Sequence, residues 1–394
     1  MLRRKALPQF TSTIFHTIMA IDSRAPAAMA QAPQNTTTTT TTQPSNPFPT
    51  TPDGDFDILQ AFHSHLASDP EMTMPVAAIE SLIDLLRASP STTAMETVEV
   101  VRKYKEALLD ATPNPLPLLA GADLFEQYLL RSLRESSAAT VSADDAKDAS
   151  SKDSTKGEDR ILSFDETIAH LLHNRQLFAH RAKSARDAIA TWGSKYVVHG
   201  RVVMAAGGSR VVTRILLRAA ADQAKHFKVV YVMDGSPRCE QSVATLRAAG
   251  LEVETVREGK AAYILANQSK INLVLVGTEV VLQNGGIVSR MGTSQLAHLT
   301  KTVKGSQKRF YVAAETHKIV RKTPLFYPMV NRLGIRQKDP SKWEYLGRDP
   351  ENVAELLSTQ DEVDYTDPEL IDGIITEQGV KMTSQIWEMV DDYI

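Results

Sequence analysis

The stretch INLVLVGTEVVLQNGGIVSRMGTSQLA, Ile271 to Ala297, decides how the second half of this chain folds. It opens on an apolar run, Ile271 to Val276, closed by Gly277. The run is too short for a globular helix and reads as a buried parallel strand. Thr278 and Glu279 follow, then the turn signal Asn284-Gly285-Gly286, a basic residue (Arg290), and Gly292-Thr293. Thr293 is placed to N-cap a helix starting near Ser294. A strand, a polar elbow and a helix N-terminus are the parts from which an open α/β sheet builds a ligand site.

Outward from that stretch, β-rich runs alternate with helical patterns. Strands are expected over Arg201–Ala206, Lys228–Met233, Leu251–Val256, Ile271–Val276 and Arg309–Ala314. Helices are expected over Arg210–Ala224, Glu240–Ala249, Ala261–Gln268 and Ser294–Lys304. Such alternation gives right-handed crossovers and a Rossmann-like, doubly wound parallel sheet. Its ligand crevice lies beyond the carboxyl ends of the strands, between the first and the fourth for the usual order. The loop Ala206-Gly207-Gly208-Ser209 and the elbow after Val276 therefore converge.

Several residues there invite chemistry, each with a plainer alternative. Gly207, Gly208 and Ser209 lead into a helix N-terminus, whose free N–H groups favour an anion. They serve equally as a tight strand-to-helix turn. The dinucleotide fingerprint G-x-G-x-x-G is only half met by AAGGSR, although Asp234 ends the second strand where a ribose-binding acid would stand. Glu279 is placed for a general base, or for hydrogen bonding its own loop. Arg290 is placed for a phosphate, or for solvent. Cys239, the one cysteine, opens a helix beside Arg238, where a thiolate is favoured, yet a lone cysteine is more often a small buried side chain. The ten histidines, His170 and His173 included, lack metal-ligand spacing, and no metal is expected.

The first half is helical. Phe56, Leu59, Phe62 and Leu66 form one stripe, and Pro75, Val76, Ile79, Ile83 and Leu86 a second helix with proline in its first turn. Thr93-x-x-Glu96 is a capping box opening a helix to about Asp110, broken by Pro113, Pro115 and Pro117. Helix resumes from Leu124 to Leu133 and again from Phe164 to about Trp192. The intervening 135–159 is Ser, Ala, Asp and Lys with little to bury, hence a mobile surface loop. Its Ser136, Ser137 and Ser151 could be phosphorylated, though most such loops carry no such duty. Residues 1–54 form a disordered leader holding the threonine tract Thr36 to Thr42. Its basic start reads either as a transit peptide or as a dispensable extension, with Met19 and Met29 as later starts. The expected division is thus an all-helical domain over 55–192 and an α/β domain over 193–394.

Composition narrows the function classes. A net charge of −3 argues against nucleic acid or an anionic membrane as the primary partner. No apolar run approaches the roughly 20 residues that span a bilayer. One cysteine allows no internal disulfide, which fits a reducing cytoplasm.

At the elbow residues the chain resembles a known family. VGTEVVLQNGGIVSRMGTSQLA is similar to the block shared by the regulatory subunits of translation initiation factor 2B and the methylthioribose-1-phosphate and ribose-1,5-bisphosphate isomerases. Supporting pieces are DPEM, VAAIESL, SRVV, FYVAAE and VDYTDPELI, and they look most like the alpha branch of the regulatory subunits. The resemblance covers about Asp55 to Ile394. It implies a non-catalytic subunit of a guanine nucleotide exchange complex, dimerising through its α/β domain. The dimer would bridge two halves made of beta, gamma, delta and epsilon subunits and sense the phosphorylated alpha subunit of initiation factor 2. Thr93, Glu96, Thr97 and Glu99 are the candidate face for that partner.

The isomerases use a cysteine after the first strand and an aspartate after the fourth. Here those positions are Gly207 or its neighbour, and Glu279; the relatives' Thr-Arg-Pro arginine is Ser236, and their Asn-Lys pair is Ser289-Arg290. Losing a proton-transfer group removes roughly 10²–10⁴-fold in rate. Glu279 is thus a relict, and no catalytic residue or cofactor is expected. Gly207, Gly208, Ser209, Glu279, Asn284, Gly285, Gly286, Ser289 and Arg290 remain a candidate site for a phosphate, sugar phosphate or nucleotide. The alternative is an active aldose–ketose isomerase.

Overall fold

Apolar residues, valine foremost, fill the central strands, which pair side by side. The computed structural model describes residues 49–51, 55–89, 93–144, 175–222, 224–303, 308–322, 333–337 and 362–391. Five parallel strands are β1 (Val202–Ala206), β2 (Lys228–Met233), β3 (Glu252–Arg257), β4 (Ile271–Gly277) and β7 (Arg309–Ala313). β10 (Gly373–Thr376) pairs parallel to β7, and β11 (Gly379–Lys381) closes the edge antiparallel. The order is β3-β2-β1-β4-β7-β10-β11, so the chain reverses direction across the sheet between β1 and β4. That is the expected doubly wound topology.

Strand alternation then assigns the two faces. Val203 and Ala205 of β1 join Leu273 and Leu275 of β4 in one core, under α6 (Arg210–Ala220) and α7 (Pro237–Ala248). Val202, Met204, Val274 and Val276 join the other, under α8 (Ala261–Asn267), α9 (Thr293–Thr302) and α10 (Ile386–Asp391).

The helical layer comprises α1 (Ile58–Ser68), α2 (Met74–Ala88), α3 (Ala94–Asp110), α4 (Leu116–Asp144) and α5 (Arg175–Gly193). Asp57 caps α1, its Oδ1 accepting from Gln60 N at 3.0 Å. α2 is buried on nearly every side, Glu80, Ser81 and Asp84 included, because α1, α3, α4 and α5 all pack on it. On α4, Gly121 lets the two backbones meet, since a Cβ there would strike the Pro75 carbonyl.

Three expectations need correction. α4 begins at Leu116, not Leu124, because Pro117 stands in the first turn, where a missing N–H costs nothing; Asn114 Oδ1 accepts from Leu116 N at 3.3 Å. α4 also continues through 135–144, since that part of the supposed loop has no glycine or proline to stop it. Ser136 and Ser137 therefore lie on a helix. Finally, the segment after β4 is not an irregular elbow. β5 (Val280–Leu282) and β6 (Ile287–Arg290) form a hairpin, flanked by β8 (Ile319–Val320) and β9 (Val363–Thr366) in a second sheet of order β8-β5-β6-β9. The valines and isoleucine on either side of Asn284-Gly285-Gly286 favour strand, and the turn between them closes the hairpin.

The expected boundary at 192/193 also falls inside shared structure. Ile189 and Ala190 of α5 belong to the α/β core, and Pro47–Ile394 form one compact unit. Residues 1–48, Ser151, the remainder of 145–159, and His170 and His173 lie outside the described residues. Among the described residues no helix is long and apolar enough to cross a membrane.

Candidate functional site

Beyond the carboxyl ends of β1, β2 and β3, against the start of α9, lies a cleft open to solvent. Its rim comes from Ala206 and Gly207 after β1, Asp234 after β2, Glu258 after β3 and Met291 to Gln295 at the start of α9. Val232, Ala261, Leu296 and Leu299 form apolar walls.

The glycine elbow is built for close packing. Gly207 and Gly208 have φ of 81° and 60°, in the left-handed region that glycine enters freely. At Gly208 a Cβ would lie 2.7 Å from Arg238 Cβ and 2.9 Å from Cys239 N. Its N–H is already used, donating to the Tyr231 hydroxyl at 3.1 Å. Ser209 N-caps α6, its Oγ accepting from Val212 N at 3.4 Å. At Gly277 a Cβ would meet the Ser209 side chain, so the elbows after β1 and β4 touch.

The N-terminus of α9 differs from the expectation. Gly292 is the N-cap, with φ 94°, and Thr293 is the first helical residue, its Oγ1 donating to Arg290 O at 2.7 Å. The free amides are met from β9 instead: Asp364 Oδ2 accepts from Gly292 N at 2.8 Å and Ser294 N at 2.9 Å. An internal carboxylate thus occupies the place of a bound anion. Burial pushes the Asp364 carboxyl up to about 7, opposed by those two amides and reinforced by Glu258. Its Oδ1 is buried without a hydrogen bond among the described residues. Burial, with the neighbouring Asp234 charge, also raises Glu258.

The other sequence-predicted groups are committed internally. Arg290 Nε lies 3.2 Å from Asp234 Oδ2. Burial alone would raise Asp234, yet hydrogen bonds from Ser236 and Cys239 and the Arg290 charge hold it below the usual carboxylate value. Cys239 is fully buried, and burial together with Asp234 pushes its thiol up to about 11. The thiolate reading is overturned, and the small buried side chain is what the fold contains. Glu279 turns to the helical layer, where Asn114 Nδ2 donates to its Oε2 at 3.0 Å. Asn284 Nδ2 donates to the Tyr365 hydroxyl at 2.8 Å, and its Oδ1 accepts from Gly286 N at 3.0 Å. A Cβ on Gly285 would strike Thr383, and one on Gly286 the Tyr365 ring. Those three residues form the hairpin tip, away from the cleft rim. Ser289 is buried, with its Oγ donating to Gly277 O at 3.3 Å.

A second polar cluster, invisible to sequence reasoning, joins the helical layer to the strand exits. Arg186 of α5 is 1% exposed, and its Nε donates to Glu315 Oε1, just past β7, at 3.2 Å. The rest of its guanidinium holds the carboxylate and carbonyl of Glu71. Lys318 Nζ reaches Glu315 Oε2 at 2.9 Å and Thr278 O at 3.1 Å, beside Glu279. Burial alone would raise Glu315, but the charges of Lys318, His317 and Arg186 outweigh it and keep the carboxyl far below its ordinary range. Burial drives His317 down to about 4.

On the candidate partner face, Thr93 Oγ1 accepts from Glu96 N at 3.2 Å. Glu96, Glu99 and Met95 point outward, Met95 being 80% exposed. Thr97 is corrected: it is 1% exposed, and its Oγ1 donates to Thr93 O inside the helix start. Among the described residues no group of three or more His, Cys, Asp and Glu could hold a metal ion.

Comparison with known proteins places this geometry. The profile described as "Initiation factor 2 subunit family" matches residues 67–383. Subunit alpha of translation initiation factor eIF2B from Dictyostelium discoideum is 30% identical over 340 residues, covering 84% of this chain and 95% of that protein. Ribose 1,5-bisphosphate isomerase from Pyrococcus furiosus is 30% identical over 209 residues, 52% of this chain and 60% of the other. The crystal structure of eIF2B beta from Chaetomium thermophilum superimposes with a TM-score of 0.56 at 17% identity, covering 86% and 91% of the two chains.

Proposed function

Since this chain belongs to the Initiation factor 2 subunit family, we propose that it is a non-catalytic regulatory subunit of the guanine nucleotide exchange complex that serves translation initiation factor 2. The similarity carrying this reading is the one to the alpha subunit, which spans 84% of the chain and nearly all of that relative. On this reading the protein works in the cytoplasm as a homodimer bridging beta, gamma, delta and epsilon subunits. Its helical layer meets the phosphorylated alpha subunit of initiation factor 2, with Glu96 and Glu99 of α3 on that side. Co-expression with the other subunits and native mass spectrometry tests it; a protein that never enters the complex defeats it.

The cleft fits a binding role better than proton transfer. Glu279 is tied to Asn114 and Asp364 already caps α9, and by resemblance the isomerases' cysteine falls on Gly207 or its neighbour. A phosphate, sugar phosphate or nucleotide would enter past Gly207, keeping its anionic group away from Asp234 and Glu258. Thermal-shift titration with sugar phosphates and nucleotides tests this. No shift in the parent protein removes the idea.

One observation favours a second reading, an active sugar-phosphate isomerase: the partial match to the Pyrococcus furiosus enzyme. It requires turnover of ribose 1,5-bisphosphate or methylthioribose 1-phosphate that disappears in Glu279→Gln. Purified protein without turnover eliminates it.

A further inference from the structure

Asp234 and Glu258 follow the carboxyl ends of β2 and β3, and four basic residues stand at the opposite end of the sheet. Lys228 opens β2, Arg201 immediately precedes β1, Lys270 precedes β4 and Arg309 opens β7. β2, β1, β4 and β7 are consecutive neighbours, with Val202 level with Lys228 and with Ile271, and Arg309 level with Leu273. Main-chain bonds tie the row together: Lys228 N donates to Arg201 O at 3.2 Å, and Val202 N to Lys270 O at 3.1 Å. At about 4.8 Å per strand, four cations lie along roughly 15 Å. All four are exposed. His199 and His226 extend the row, both exposed, with ring centroids 5.7 Å apart.

Carboxylates near this end are already spoken for. Glu252 pairs with Lys228, Asp222 with Lys225 and Asp372 with Lys301. Arg201 and Lys270 have no ion-pair partner among the described residues. Helix C-termini gather at the same end and favour cations, but Arg218, Arg247 and Lys301 in their last turns already answer that demand. The strand-end cations come in addition, on a chain whose net charge is −3. Among the described residues, unpaired positive charge therefore gathers at Arg201 and Lys270, while Glu252 at the start of β3 answers Lys228.

We propose that this basic row, centred on Arg201 and Lys270, is a docking surface for an acidic polypeptide segment of a partner protein. The observations prefer a polypeptide to single-stranded nucleic acid. A strand-binding site for nucleic acid uses exposed aromatic rings as stacking platforms. Here Tyr311 is buried against Tyr196, and the Trp192 ring, 39% exposed, already carries Lys195 Nζ 3.9 Å from its centroid. An acidic segment needs only the row of point charges, and its on-rate falls with salt. This inference is independent of the family reading.

The test uses the full-length protein and a fluorescent oligo-glutamate peptide, with an oligouridylate of equal charge as competitor. Binding is expected at low ionic strength and should fade with added salt. Arg201→Glu with Lys270→Glu should weaken it by about tenfold or more, whereas Lys103→Glu on the remote α3 should leave it unchanged. Circular dichroism verifies folding, and Arg201→Ala with Lys270→Ala replaces the charge reversal if that variant does not fold. The proposal is overturned if the peptide fails to bind at low salt, if Lys103→Glu weakens it equally, or if the oligouridylate binds more tightly.

Discussion

Arg186 and Glu315 meet at 3.2 Å, from Nε to Oε1, with 1% of either side chain exposed. One belongs to the helix that closes the helical layer, the other to the exit from β7, so their pairing joins the two halves of the fold. Glu71 completes the guanidinium's hydrogen bonds from the loop between α1 and α2. Arg210 Nη2 donates to Met72 O in the same loop at 3.1 Å.

Removing one partner should cost far more than removing both. Arg186→Met leaves the buried Glu315 to Lys318 alone and takes the guanidinium from Glu71, a loss of up to about 3–5 kcal/mol. Arg186→Met with Glu315→Gln should recover part of it. Urea unfolding of both variants measures this, and a double variant less stable than the single one contradicts it.

Asp364 should make stability depend on pH with an uncommon sign. Its folded value, about 7, exceeds the ordinary 3.8, so the folded state holds the proton more tightly than the unfolded chain does. The stability it contributes is complete below the ordinary value and is lost as pH rises through about 7. Asp364→Asn should therefore lag the parent most under acidic conditions, and the gap should narrow toward neutrality. Denaturation midpoints across that window test it; a gap that widens with pH refutes it.

The two elbow glycines should respond differently to alanine. Both have positive φ, which costs a side chain about 1–2 kcal/mol. Gly207 has open space around its missing Cβ, whereas Gly208 faces Arg238 and the Cys239 amide. Gly208→Ala should lower the melting temperature more than Gly207→Ala. Equal shifts would show that α7 yields freely.

Cys239 should behave as a buried side chain. With its thiol raised to about 11 and no solvent exposure, it should react with a thiol reagent only on unfolding. Rapid labelling of the native protein would contradict that.

Much of the fold was readable because its signals are local. Apolar runs of strand length gave β1, β2, β3, β4 and β7 to within a residue or so, and their alternation with helices gave the doubly wound order. The short strands β5 and β6 were missed because Asn284-Gly285-Gly286 was read for ligand chemistry rather than as a hairpin turn. The extension of α4 carries no apolar periodic stripe, its alanines, serines and acids leaving only helix propensity as a signal.

The sequence by itself determined the strand ends that border the crevice. Strand ends, glycine elbows and helix starts are set by backbone preferences within a few residues of one another. Only the tertiary structure decided what occupies it. Asp364 caps α9 from 70 residues away, Asn114 takes Glu279, Tyr231 takes the Gly208 amide and Arg186 reaches Glu315 across the fold. Each is a buried polar group that must find a partner, and only folding brings residues so distant in the chain within hydrogen-bonding reach.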